Sequence, residues 1–297
     1  MASLLDESGH WAGFKAHLVQ TGDFLDRGVQ ARQVLDLLIR LEKEAQEAGG
    51  RVHVLLGNHE VMNILGDHRY VRPEEYEAYR TTESEARRDK FLKTATPRER
   101  EEAKAAPLGF VERMQALSPH GEYGQWLRER DPVAVINNVV FVHGGLTPEV
   151  AALGCKGINE RVHRDLGPDL DRTLDNPLGT LAAGEKGPLW YRGLAMEDET
   201  ALLPSVEKVL HSMGATAIVV GHTTRKDGKV YPRFGGRVVM IDVGIVPELG
   251  GHLAALELAS DGAMTVIYPS GRVPLERKAT EASEPVSLRA AALAGSF

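Results

Sequence analysis

Four short polar motifs hold the side chains able to do chemistry: Gly22-Asp23-Phe24-Leu25-Asp26-Arg27-Gly28, Gly57-Asn58-His59-Glu60, His143-Gly144-Gly145 and Gly221-His222-Thr223. Each follows an apolar run that reads as a strand. Each sets groups able to bind a metal or a phosphate just past that strand's end. Strand ends of an α/β sheet lie along one edge, where such folds place their ligands, so four motifs from separate strands can build one site. Glycines flank them because the backbone must turn sharply there and approach a ligand closely. Singly, each signal is weak: an aspartate after a strand is commonly a turn former or helix cap, and a lone histidine commonly belongs to the core or surface. The combination, in this order, is the specific signal. Of the 11 histidines, His10, His17, His53, His68, His120, His163, His211 and His252 lie outside these motifs and take the ordinary reading.

The elements that must position these motifs alternate. Residues 17–21 read as a strand running into Gly22-Asp23. A helix follows over 29–48, with Val34, Leu35, Leu37, Leu38 and Leu41 as its apolar stripe. Gly49-Gly50 stops it, glycine taking the left-handed turn cheaply. A buried strand over 52–56 leads into Gly57-Asn58, which suggests a strand–helix–strand unit with a right-handed crossover. Residues 69–106 are dense in Glu, Arg and Lys and read as exposed helices, broken at Thr96-Pro97, forming a solvated lid or insertion. Strands are expected over 133–137 and 139–142, joined by a tight Asn-containing turn. A helix over 204–213 precedes a strand over 215–220, and further strands fall at 237–242, 253–258 and 263–268. One domain over 1–277, with a flexible tail over 278–297 rich in Ala, Ser and Glu, accounts for the chain.

Composition narrows the classes. Hydrophobic residues at 42% and charged residues at 26% of 297 exclude a disordered, collagen-like or disulfide-scaffold chain. Cys155 is the single cysteine, so there is no internal disulfide or thiolate cluster, and any metal site must draw on His, Asp, Glu or Asn. A net charge of -7 and a pI near 5.9 argue against nucleic acid as a partner. No apolar run approaches the ~20 residues that span a bilayer, and the opening residues do not read as a signal peptide. A cytoplasmic protein without membrane contact is expected.

The motifs GDFLDRG, LLGNHEVMN, FVHGGLTP and VVGHTTR resemble those of the calcineurin-like metallophosphoesterases. Asp-Arg-Gly and Asn-His-Glu are similar to the phosphoprotein phosphatase branch. HLVQTGDFLDRG, LLGNHEVMNILGD and LWYRG look most like the Shewanella-like protein phosphatases. The resemblance spans roughly residues 8–242. It implies an α/β fold, a two-sheet β-sandwich flanked by helices, in which two divalent cations activate water for in-line attack on a phosphate monoester. By the same resemblance Asp23 bridges the two cations, and Asn58, His143 and His222 complete the second cation's ligands. That donor set suits Mn, Fe or Zn better than Ca. His59 matches the general acid and Asp26 the carboxylate that orients it. Arg27 matches a phosphate clamp, and Arg192, in Trp190-Tyr191-Arg192-Gly193, is a candidate second clamp. Glu60 is read as a structural residue and Asp242 as a turn residue.

One family motif has no counterpart. The resembled sequences carry Gly-Asp-x-His-Gly on a first strand, supplying an Asp and a His to the first cation. Nothing before Asp23 matches, and Asp6 and His10 follow no apolar strand. The chain as given therefore reads as truncated or misstarted, lacking the first strand, the first helix and their two ligands. An open sheet edge or core, an incomplete first-cation site and weak two-metal turnover are expected. The leading function is a phosphatase for phosphoprotein Ser, Thr or Tyr. The alternatives are a phosphoesterase for dinucleoside polyphosphates or other small phosphoesters, and a non-catalytic module that binds metal or phosphate.

Overall fold

Strands form where β-branched residues run together, and helices where apolar side chains recur every three or four positions. The structure, a computed structural model, describes residues 4–167 and 169–276. The tail expected over 278–297 lies outside the described residues. Strands β1 (His17–Gln20) and β2 (Arg51–Val54) pair in parallel, with α1 (Ala31–Glu47) between them. Helix α1 buries Leu35, Leu38, Leu41 and Ala45, the last three packed with Val52 and Val54 of β2. The helix α2 (Asn58–Ile64) opens directly after β2.

The charged stretch folds into α3 (Pro73–Glu77), α4 (Ser84–Thr94) and α5 (Pro97–Ala105). The break falls at Thr96, which caps α5 reciprocally with Glu99. These helices are not only a solvated surface. Tyr76 and Ala103 pack with Phe110 and Val111 of α6 (Phe110–Leu117), and Glu75 is fully buried. A few well-placed side chains, hidden among many charges, anchor the segment. The next helix, α7 (Glu122–Arg128), leads into the central sheet.

Strands β3 (Val133–Ile136) and β4 (Val139–Val142) form a hairpin. Its turn puts Asn137 and Asn138 at φ 48° and 58°, the left-handed region that asparagine tolerates better than other residues with a Cβ. The sheet continues through β5 (Ala217–Val220), β6 (Tyr231–Arg233) and β7 (Val238–Met240), in the order β3-β4-β5-β7-β6. Successive side chains point to opposite faces. Val140, Val142, Ile218 and Val220 join a core with helical residues from α8 (Pro148–Ala151), α9 (Gly154–Leu166), α11 (Gly193–Met196) and α12 (Glu199–Met213). The short α10 (Leu170–Asp175) packs beside α9. Helix α12 begins five residues before Pro204, because the Asp198 carboxylate accepts the Ala201 N–H and caps it there.

Val139, Phe141, Ala217 and Val219 face the other way. They pack with Met264 and Val266 from a three-stranded sheet, built from β8 (Ala255–Leu258), β9 (Met264–Tyr268) and β10 (Gly271–Pro274). The sheet-on-sheet core is thus made of three hydrogen-bonded sheets. Among the described residues, β1 is laddered to β2 alone and β8 to β9 alone. Residues of both strands, with Phe141, Val219 and Ile267, line a cavity of about 1140 Å3 that extends to all four polar motifs. No described helix is long and apolar enough to cross a membrane.

Candidate active site

Each motif leaves a strand at the same end of the fold. Asp23 follows β1, Asn58 begins α2 after β2, His143 follows β4 and His222 follows β5. The first two loops touch so closely that only glycine fits. A Cβ on Gly57 would stand 2.4 Å from both the Asp23 nitrogen and its Oδ1, and one on Gly22 would stand 2.4 Å from the Gly57 nitrogen. The backbone is strained here as well. Asp23, Asp26, Arg27 and His222 have φ of 58°, 67°, 59° and 63°, a region costly for residues with a Cβ and frequent at functional sites.

Glu60 holds this loop. Its buried carboxylate accepts N–H groups from Gly57 (2.7 Å), Asp23 (2.8 Å), Phe24 (3.0 Å) and Leu25 (3.0 Å). Burial and the nearby Asp23 charge push its pKa up to about 7 despite these bonds. Its part is therefore structural, and larger than a helix cap.

The four expected cation ligands meet around one atom. His143 Nε2 lies 3.0 Å from Asn58 Oδ1, 3.1 Å from His222 Nδ1 and 3.2 Å from Asp23 Oδ2. Ligand atoms of Asp23, His143 and His222 all lie within 4.8 Å of one another. His143 Nδ1 donates to the Thr21 carbonyl at 2.7 Å. In the neutral ring this leaves Nε2 with a lone pair, aimed at the amide and carboxylate oxygens. Lone pairs facing lone pairs need a cation or a proton between them, so the donor set fits a divalent cation, and the Thr21 bond orients the ring as outer partners of metal ligands do. Burial opposes charge on Asp23, yet His143 and His59 hold its carboxyl well below the usual range. Burial likewise opposes charge on His143, but the Asp23 carboxylate raises its proton affinity. Burial, with the neighbouring His143 and Arg192, drives His222 down to about 3, which keeps it a neutral donor.

Beside this cluster, His59 Nδ1 is 2.7 Å from Asp26 Oδ2, and both side chains are almost wholly buried. Burial opposes a charge on His59, but its hydrogen bond to Asp26 and the carboxylates of Asp23, Asp26 and Glu60 raise its pKa. With Nδ1 held, Nε2 faces Arg27, whose Nη2 is 3.5 Å away. The Arg27 guanidinium lies 4.6 Å over the ring of Tyr70. Across the cleft, Arg192 donates to the His222 carbonyl (2.8 Å) and to Thr223 Oγ1 (3.1 Å). Both arginines line the same cavity as the cation cluster.

Asp6 and His10 do not join them. Asp6 Oδ1 accepts the Ser8 and His10 N–H groups, and His10 Nδ1 sits 2.7 Å from Glu44. Asp242 accepts from Thr224 Oγ1 and the Gly244 N–H, as a turn residue does. Sequence reasoning missed Tyr70 under Arg27, Asn63, whose Nδ2 donates to Asp26 Oδ1 at 2.9 Å, and the buried Arg113 and Glu75 behind it. Asn63 stands four residues after His59 in α2, one helical turn on, and that spacing is the one available signal.

Three comparisons show what the chain is similar to. The signature of the calcineurin-like phosphoesterases matches residues 13–226. An uncharacterized protein of Schizosaccharomyces pombe is 31% identical over 266 residues, 86% of this chain and 70% of the relative. Shewanella-like protein phosphatase 2 of Arabidopsis thaliana is 28% identical over 294 residues, 90% of this chain and 72% of the relative. The solved structure of a cold-active protein-tyrosine phosphatase from a psychrophilic Shewanella species aligns with a TM-score of 0.69 at 28% identity, covering 92% of this chain and 73% of that one.

Proposed function

The chain belongs to the calcineurin-like phosphoesterase family and is a metal-dependent phosphatase, and on that premise we propose that it removes phosphate from Ser, Thr or Tyr side chains of phosphoproteins. The convergence of Asp23, Asn58, His143 and His222 around one point, beside the His59–Asp26 pair, carries this reading. The choice of substrate is supported by the relatives named as protein phosphatases.

In this reading those four residues hold a Mn, Fe or Zn ion. A divalent ion in such a site supplies Lewis acidity and an activated water for in-line attack. Arg27 and Arg192 grip the non-bridging phosphate oxygens, the guanidinium fork matching two of them. His59 protonates the leaving oxygen from Nε2, while Asp26 keeps the ring oriented and charged. Phosphoryl transfer draws mainly on positioning and charge neutralisation, so the clamps count as much as the ligands. A single cation bound through Asp23, Asn58, His143 and His222, with slow turnover, is proposed for this chain.

The test pairs metal analysis with two substrates, a phosphopeptide and a dinucleoside tetraphosphate, both with Mn. Phosphate release from the peptide and one tight ion per chain are expected. Hydrolysis of the tetraphosphate alone, or cation binding without any turnover, overturns the substrate reading. Two tight ions with fast turnover overturn the single-ion reading.

A further inference from the structure

The His59–Asp26 pair does not end at Asp26. Asp26 Oδ1 accepts from Asn63 Nδ2 at 2.9 Å, and the same amide nitrogen donates to the His59 carbonyl at 2.9 Å. Asn63 Oδ1 accepts from Arg113 Nη2 at 2.8 Å, and Arg113 Nε donates to Glu75 Oε1 at 3.1 Å. Arg113 Nη2 also lies 3.9 Å from Asp26 Oδ1. The chain of contacts thus runs from the cleft through α2 to α6 and α3. Arg113 is 1% exposed and Glu75 is 0% exposed.

Burying a guanidinium and a carboxylate this deeply is expensive, and apolar side chains of similar volume fill a core more cheaply. The arginine does something an apolar residue cannot. A side-chain amide has a donor end and an acceptor end; two acceptors, Asp26 Oδ1 and the His59 carbonyl, take the NH2 end of Asn63, and its buried oxygen needs a donor of its own. Arg113 has donors only, so it captures the Asn63 oxygen and turns the NH2 group toward Asp26. With that donor on Oδ1, Oδ2 stays aligned on His59 Nδ1. Without Arg113, the buried Asn63 oxygen has no donor, and an amide that shifts to find one loosens its hold on Asp26 Oδ1 and so the alignment of the carboxylate on the histidine.

We propose that Arg113, acting through the Asn63 amide, is the positioning residue that fixes the His59–Asp26 pair, with Glu75 holding Arg113 in place. The helices of the charged stretch are thereby wired to the site through Glu75. The inference rests on the reading of His59 as general acid, and its test has an arm that does not.

The test uses the full chain and three variants. Arg113→Met with Glu75→Gln removes both buried charges together, so no carboxylate is left unpaired. Asn63→Leu cuts the link and leaves the Arg113–Glu75 pair intact. Arg113→Lys keeps a donor for Asn63 and serves as the rescue. The first readout is the low-field proton signal of His59 Nδ1–H in NMR, taken without substrate. It is expected to broaden or vanish in the first two variants, with the strand amide signals retained, and to persist in Arg113→Lys.

The second readout compares an alkyl phosphate with p-nitrophenyl phosphate. Nitrophenolate leaves without help, so a misplaced general acid costs the alkyl ester alone. Its kcat is expected to fall about ten- to a hundredfold with KM unchanged, while the nitrophenyl ester stays within about threefold. An unchanged Nδ1–H signal, or equal losses on both esters, overturns the proposal and leaves these residues with a packing role. If the wild-type chain hydrolyses neither ester, the phosphatase reading fails, and the NMR arm alone decides the positioning.

Discussion

Glu60→Gln is the sharpest single probe of how the site loop is held. The wild-type carboxylate takes two N–H groups on each oxygen: Phe24 and Leu25 on Oε1, Gly57 and Asp23 on Oε2. Glutamine offers one oxygen and one NH2 group, so two backbone N–H groups would face a donor. Each buried, unsatisfied N–H costs about 1–3 kcal/mol. Part of that is offset, because burial and the Asp23 charge already disfavour the wild-type carboxylate and push its pKa up. A net loss of about 2–4 kcal/mol follows, which lowers Tm by about 3–6 °C at an unfolding entropy of about 2.1 cal/mol/K per residue. The loop that relaxes contains Asp23 and Asp26 in left-handed backbone, so cation affinity should fall together with stability. Urea unfolding and calorimetric cation titration measure the two losses. A variant within about 1 kcal/mol of wild type, with unchanged cation affinity, would refute the view that four converging N–H bonds hold this loop.

Two further outcomes follow from named groups. A divalent cation at a hundred times its Kd should stabilise the fold by about 2.7 kcal/mol, a gain that Asp23→Asn removes and that thermal melts with Mn or a chelator will read. His53, beside Arg51 and with its Nε2 3.1 Å from His17 Nδ1, is lowered to about 4 by burial and by those neighbours. Between pH 6.5 and 4 the unfolded chain therefore binds a proton that the folded chain refuses, so stability falls as the pH drops through this window. His53→Gln should lose less stability than wild type between pH 7.5 and 4.5 in urea titrations, and parallel curves for the two proteins would count against the assignment.

The convergence of the four polar motifs is legible in the sequence because each motif is local. Asp23, Asn58, His143 and His222 each sit one to four residues past a strand, and such a step leaves a mark in composition and glycine placement. The Asn137–Asn138 turn was legible for the same reason: two residues tolerant of positive φ stand between two β-branched runs. Helix α12 was harder, since Pro204 looks like a helix start while Asp198 makes the cap. The stretch 69–106 reads as solvated because Glu, Arg and Lys dominate it. Sequence cannot tell that one of those acids, Glu75, meets Arg113 in the interior.

The illegible part shares one physical trait: its residues act on partners far along the chain or on the backbone. Arg113 reaches Asn63, fifty positions away, and nothing in Phe-Val-Glu-Arg-Met singles that arginine out. Glu60 reaches back 35 to 37 positions to Leu25, Phe24 and Asp23, so its effect is on backbone shape, which composition does not record. Yet the two layers depend on each other. Asp23, open to the cleft, carries its charge beside the buried Glu60, and that charge resists the ionisation of Glu60. Such a pair persists only if the backbone contacts of Glu60 and the imidazoles around Asp23 hold both in place. A positive charge bound at Asp23 would ease the repulsion on both, which is why an acid as buried as Glu60 makes physical sense beneath a cation site and little sense under an ordinary turn.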